Sequence, residues 1–388
     1  MGVNCRIRKK NQFFYFRPRA IDYPLIKERS FPEFFLYLRM RKFLLALTIL
    51  LALVASFIFY TFYTTGYFRD VPAKSEIGKV YKSIDLPGVE DMALAREDSL
   101  LLLSVNDRAS RRVGKEGVHG IYLVDLRAEN FQAISISSEL DFPFYPHGIS
   151  LFKLDSATYG LLAINHVEGK HSVESFLLKG KTLQHLKTIA GPELISPNDL
   201  VMVGPEAFYF TNDHGYTSKW GLFAENYLAV KAASVGHFDG KKFQLVEENL
   251  SYSNGIQVDT SRKLLYVASS REFSVGVYSL LPDGELSYIE DIPAGTGVDN
   301  IELDENGMLW IGCHPNLLAF AAYASGKKPI SPSEVITLTY QKEGEAVVSS
   351  VWTDPGTHLS GASVAVPYGN YLFIGNVMDT KVLVLKKN

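Results

Sequence analysis

At 388 residues, with 47% hydrophobic and 12% aromatic content and a net charge of −3, the chain is too apolar to be disordered. Its charge is uneven: residues 1–42 hold eleven Lys and Arg against three Asp and Glu, which leaves the remainder acidic. A body with no basic footprint excludes nucleic acid as a partner. The two cysteines, Cys5 and Cys313, form neither a Cys-x-x-Cys motif nor a Cys/His cluster, which argues against zinc.

The chain opens with the basic segment 1–42. From Phe43 to Tyr63 it then runs 21 residues without a charge, long enough to cross about 30 Å of hydrocarbon as a helix. Arg39, Arg41 and Lys42 precede this run, so the positive-inside rule predicts a cytoplasmic N-terminus and an extracytoplasmic body. Tyr60, Phe62, Tyr63 and Tyr67 suit an interfacial aromatic belt. A cleaved signal peptide is the competing reading, although the apolar run exceeds a usual signal core and lacks a small-x-small site. A start at Met40 would leave Met-Arg-Lys ahead of the same run. All three readings export the body, and topology then keeps Cys5 from pairing with Cys313.

Residues 64–84 read as a linker and the start of a repeating region over 85–388. Six short apolar strands recur there: Leu100–Val105, Tyr159–Ile164, Ala207–Phe210, Lys263–Ala268, Gly307–Ile311 and Asn370–Ile374. Most are followed by a second strand, as at 121–126, 172–178, 275–280 and 381–387, at spacings suited to four-stranded blades with variable loops. Asp239-Gly240, Asp283-Gly284 and Asn306-Gly307 supply hairpin turns. The expected fold is therefore all-β, a six-bladed β-propeller behind one N-terminal transmembrane helix, with an irregular β-sandwich as the rival.

Several strand ends carry acids, amides or histidines between apolar residues: Glu90-Asp91, His147, Asn165-His166, Asn198-Asp199, Asn212-Asp213, Asn254 and Asp299-Asn300. Such flanks argue partial burial, and buried carboxylates and amides are costly unless paired or metal-bound. A hard dication resolves this, because Ca²⁺ takes six to eight oxygens. Taken singly, each signal is weak. An isolated Asn-Gly is ordinarily a turn, and a lone His between Pro and Gly is more often structural than catalytic. Cys313 reads as core; His214 and His314 read equally as tunnel lining, caps or surface residues.

The strings PHGIS (146–150), NDLVMVGPEAFYFTNDH (198–214), SNGI (253–256) and VDNIELDENGMLWIGCHPN (298–316) resemble the paraoxonases, the serum arylesterase/lactonase family, over roughly 85–388. That resemblance implies a six-bladed propeller with two calcium ions in its tunnel. It implies a catalytic calcium on Glu90, Asn198, Asn254, Asp299 and Asn300, and a structural one on Asp91, Asp199 and the Ile149 carbonyl. It also implies a dyad of His147 as general base and His166 as relay, acting on a small ester or lactone. Asn198 and Asn254 are further expected to offer amide donors to the oxyanion. Two departures stand out: the family's disulfide between the propeller termini is missing, so ring closure rests on strand pairing, and the N-terminal anchor is longer and more basic.

No G-x-S-x-G elbow, G-x-G-x-x-G or P-loop occurs, which argues against a serine nucleophile and nucleotide chemistry. A sugar-acid lactonase and a non-catalytic calcium-stabilised binding propeller are the alternative functions. Segments 214–238 and 340–362 are the candidate specificity loops. Oligomeric state is not legible in the sequence.

Overall fold

The computed structural model describes residues 31–167, 169–341 and 344–388; Cys5 and the first thirty residues of the basic segment lie outside them. The chain divides into two units, one ending at Phe57 and one running Ile58–Asn388. A single helix, α1 (Phe31–Thr64), contains the apolar run. Its stretch Phe34–Thr64 is long and apolar enough to cross a membrane, and Phe43, Leu51 and Phe59 stand exposed along it. By length and composition such a helix could serve as a membrane anchor or as a signal sequence.

The second unit is a six-bladed β-propeller made of antiparallel sheets. Its innermost strands are Val89–Ala95, Pro146–Lys153, Pro197–Met202, Ser253–Asp259, Gly297–Leu303 and Ala362–Tyr368. Each packs on the next, and the sixth packs on the first. The six apolar runs of the repeat are the second strands: Leu100–Asn106, Thr158–Val167, Phe208–Asn212, Leu264–Ser269, Met308–His314 and Tyr371–Asn376. They are apolar throughout because a second strand is covered on both faces by neighbouring blades. Leu101, Leu103 and Val105 of the first blade meet Val364, Val366 and Phe373 of the sixth. Each such side chain contributes about 1.5–3 kcal/mol by leaving water.

Ring closure uses strand pairing. Gly78–Ile84 forms the outer strand of the sixth blade against Val382–Lys387, with Gly78 opposite Lys387. Lys74–Ser75 adds a fifth strand to the fifth blade.

The innermost strands share one irregularity. In all six the pairing register shifts at the same height: between Val89 and Asp91, Pro146 and Ile149, Pro197 and Leu200, Ser253 and Ile256, Val298 and Ile301, and Ala362 and Ala365. A bulge of this kind leaves residues unpaired and re-aims their side chains. Two bulges need glycine for a close approach. A Cβ on Gly148 would lie 2.5 Å from Asp199 Cα, and one on Gly255 would lie 2.5 Å from the Asp299 carbonyl oxygen. Asn254-Gly255 is thus a bulge on an inner strand, not a hairpin turn.

Three short helices lie among the loops: α2 (Arg108–Arg112), α3 (Lys219–Leu228) and α4 (Leu317–Ala324). The latter two are N-capped by Ser218 and Asn316 side chains, which satisfy backbone donors the helices leave open.

Candidate active site

The leading residues of five bulges, Glu90, His147, Asn198, Asn254 and Asp299, line one cavity of about 430 Å³. Leu317, Leu318 and Phe320 of α4, with Val377 and Met378, give it an apolar wall. The repeat therefore places one polar side chain from each of five blades around one cavity. Asn300, next in its bulge, joins them by donating from Nδ2 to the Glu90 carbonyl and Oε1, each at 3.0 Å.

The oxygens here are notably unsatisfied. Glu90 Oε2, Asn198 Oδ1, Asn254 Oδ1, Asp299 Oδ1 and Asn300 Oδ1 are all buried without a hydrogen-bond partner. A buried acceptor left unpaired costs about 1–3 kcal/mol, so five together call for a common partner. The donor set fits a hard cation, which is bound through carboxylate and amide oxygens. Among the described residues no three His, Cys, Asp or Glu converge on a metal position; three of these five oxygens belong to asparagine.

Their nitrogen ends have partners elsewhere. Asn198 Nδ2 donates to Asp213 Oδ2 at 3.4 Å and Asn254 Nδ2 to Ser270 Oγ at 3.2 Å. Each Nδ2 carries a second N–H, and these bonds leave it available for the donation to an oxyanion expected of Asn198 and Asn254.

Charge is concentrated at this point. Burial pushes the Glu90 carboxyl up, but His147 and Arg108 outweigh it and hold it at about 2. Asp299 rises above the usual carboxylate range through burial, although His314 Nε2 lies 2.8 Å from its Oδ2. His314 is therefore part of the tunnel lining, stacked on Phe320 at 3.6 Å. His214 instead pairs with Asp213, at 2.8 Å.

A second cavity, about 200 Å³, is lined by Asp91, Asp199, Ile149 and Glu302. Asp91 accepts from Met92 and Ile149 backbone N–H, and Asp199 from Leu200 and Ile256. Even so, burial drives both carboxyls well above their ordinary range, and Asp91 is raised further by Asp199. Two buried acids this close need a compensating cation or protons, so this pair also fits a calcium ion.

The two expected histidines do meet. His147 Nδ1 lies 2.9 Å from His166 Nε2, and His147 Nε2 lies 3.4 Å from Glu90 Oε2. His166 is held well below the usual imidazole range by burial, then by His147, His171, Arg108 and Arg111. Sequence reasoning missed two neighbours. Arg108, at the start of α2, presents two buried guanidinium nitrogens without partners and lines the larger cavity. His171 sits opposite His166 across a hairpin, with its Nδ1 2.7 Å from His166 Nδ1. The spacing was a usable signal: in a hairpin turning at Gly169, residues 166 and 171 must face each other.

Of the two candidate specificity loops, 214–238 contributes Asn226 and Tyr227 to the larger cavity. Among the described residues, the segment 340–362 contributes none of its walls and runs mainly through the strand Ala346–Asp354. Its place is taken by α4.

The sequence profile of the arylesterase family matches residues 70–384. The chain belongs to the arylesterase family. Serum paraoxonase/arylesterase 2 of Rattus norvegicus is 32% identical over 329 residues, covering 80% of this chain and 92% of that protein. Serum paraoxonase/arylesterase 1 of Homo sapiens is 35% identical over 264 residues, 66% of this chain and 74% of that one. The Bos taurus serum paraoxonase/arylesterase 2 is 33% identical over 315 residues, 76% and 88% of the two chains. This arylesterase is accordingly an ester hydrolase of the arylesterase/lactonase type. Its Cys313 is buried and free, with burial and then Glu334 pushing the thiol well up, so it serves as core and not as a nucleophile.

Proposed function

We propose that the protein hydrolyses lactones and aryl esters with calcium at Glu90, Asn198, Asn254, Asp299 and Asn300, and with His147 as general base. The observation that supports this reading is that these five residues each carry a buried, unpartnered oxygen, and that four of them line one cavity. A calcium ion there supplies Lewis acidity toward an ester carbonyl. A second ion is assigned to Asp91, Asp199 and the Ile149 carbonyl, where it offsets two buried charges.

The protein's own groups do the rest. His147 Nε2 takes a proton from water, a task suited to an imidazole near neutral pH. His166, kept neutral by its surroundings, accepts the His147 Nδ1 proton and fixes the tautomer of the base. The apolar wall from α4, Val377 and Met378 holds the hydrophobic part of the substrate and excludes bulk water.

The proposal extends to topology and organisation. Residues 1–42 form a basic cytoplasmic segment, 43–63 the membrane span, 64–84 the linker and first propeller residues, and 85–388 the extracytoplasmic hydrolase domain. A membrane position favours hydrophobic lactones as substrates.

The test is hydrolysis of phenyl acetate and of a medium-chain δ-lactone by the full chain in detergent, before and after chelation. Activity that vanishes with chelator and returns with calcium is expected. A folded, calcium-stabilised protein without activity on either substrate would instead be a binding propeller.

A further inference from the structure

Three imidazoles form one hydrogen-bonded line. His147 lines the larger cavity; its Nδ1 lies 2.9 Å from His166 Nε2, and His166 Nδ1 lies 2.7 Å from His171 Nδ1. Successive rings stand edge to face, with centroids 5.0 and 4.8 Å apart. The line runs from the cavity wall, through the more buried His166, to the partly exposed His171. A structural role for His171 would need only one bond to His166. Here both nitrogens of His166 are engaged, so a proton arriving on one side can leave from the other.

We propose that His171 is the outer member of a three-imidazole proton path that connects His147 to solvent. The proposal rests on the reading of His147 as the base. As water attacks the carbonyl, its oxygen forms the new C–O bond and its proton goes to His147 Nε2. The His147 Nδ1 proton passes to His166 Nε2, the His166 Nδ1 proton to His171 Nδ1, and the His171 Nε2 proton to solvent. When the ester C–O bond breaks, its electron pair stays on the leaving oxygen, which takes the His147 Nε2 proton. The path then refills from solvent in reverse, which restores every tautomer.

The surroundings suit this traffic. His171 faces His166 on the opposing strand and feels His147 from its own blade and Asp213 from the next; burial holds its pKa below the ordinary value, partly offset by Asp213. Arg108 and Arg111 act on His166, and Glu174 on the same strand as His171 is engaged by Ser172, His185 and Thr188. A positive charge is therefore disfavoured at the middle ring, which suits a ring that passes a proton on rather than holding it. His171 touches neither substrate nor the proposed calcium ligands and acts through His166.

The experiment compares kcat and KM of the full chain with those of His171→Ser and His171→Gln, on a δ-lactone, in dilute bulky buffer and with added imidazole. The expected result is a kcat lower by about tenfold, short of the roughly hundredfold or greater effect of a group that meets the substrate. KM stays unchanged, and imidazole restores the rate in the variants without affecting the parent. An unchanged kcat in dilute buffer overturns the proposal, and so does a loss that imidazole does not repair. Thermal melting identifies a variant that fails to fold, and the second substitution then carries the test. A fully active His147→Gln protein would overturn the underlying reading itself, whichever way the His171 variants behave.

Discussion

Asp299 and His314 share a 2.8 Å contact between Oδ2 and Nε2, while Asp299 Oδ1 and His314 Nδ1 are both buried without partners. His314 thus holds one oxygen of a carboxylate and leaves the other free for the proposed cation. His314→Leu is expected to weaken calcium affinity by about tenfold or more, the usual cost of losing an orienting partner. The rise of melting temperature with calcium concentration measures it.

The asparagines give a contrasting expectation. Asn254→Leu removes an unpartnered buried oxygen along with the Ser270 bond. In chelator its stability should lie within about 1 kcal/mol of the parent. Calcium should then stabilise it less than it stabilises the parent, as denaturant titrations with and without the ion will show.

His147→Gln separates chemistry from scaffolding. Loss of the base should lower kcat/KM by about 10²–10⁴, with the calcium-dependent rise in melting temperature retained. A binding propeller would lose nothing.

Gly255→Ala tests the bulge. Its Cβ would sit 2.5 Å from the Asp299 carbonyl and 2.6 Å from Asn300 Cα, both backbone atoms. Overpacking of this kind costs about 1–3 kcal/mol or more. Gly204→Ala, whose Cβ would come no nearer than 3.6 Å to any atom, the Ala207 Cβ being nearest, should be neutral in the same urea titration.

Asp354 offers a pH test away from the site. Burial raises its pKa, but His358 and the backbone N–H groups of Gly356, Thr357 and His358 overcome this and hold it below the ordinary value. A depressed folded pKa contributes stability above the unfolded value of about 3.9, and that stability is lost as pH falls through the folded value. Asp354→Asn should therefore be destabilised by about 1–3 kcal/mol at pH 6–7, and the gap should narrow below about pH 4.

The second strands were legible because burial on both faces writes them as apolar runs, such as Leu100–Leu103. The outer strands were not, because half-exposed segments such as Thr182–Ile189 carry no clear alternation. The proposed ligands were visible as polar residues between apolar neighbours. What the sequence could not show is that the bulges in all six innermost strands lie at one height, since register depends on pairing between segments. Arg108 was hidden for a related reason: charged residues in loops are normally solvated, and only the tertiary fold buries its guanidinium. His171 looked like one polar residue among several until the hairpin set it against His166.

The sixth blade has one further consequence. Its outer strand, Gly78–Ile84, and its neighbour, Val382–Lys387, are separated by about 300 residues, so the loop they close is among the slowest kinds to form. Until Val382–Lys387 has been synthesised, the nascent chain is a horseshoe with one side open. Its ring of acids and amides then lacks one wall, so the proposed ester-cleaving centre is complete only once the sixth blade has closed.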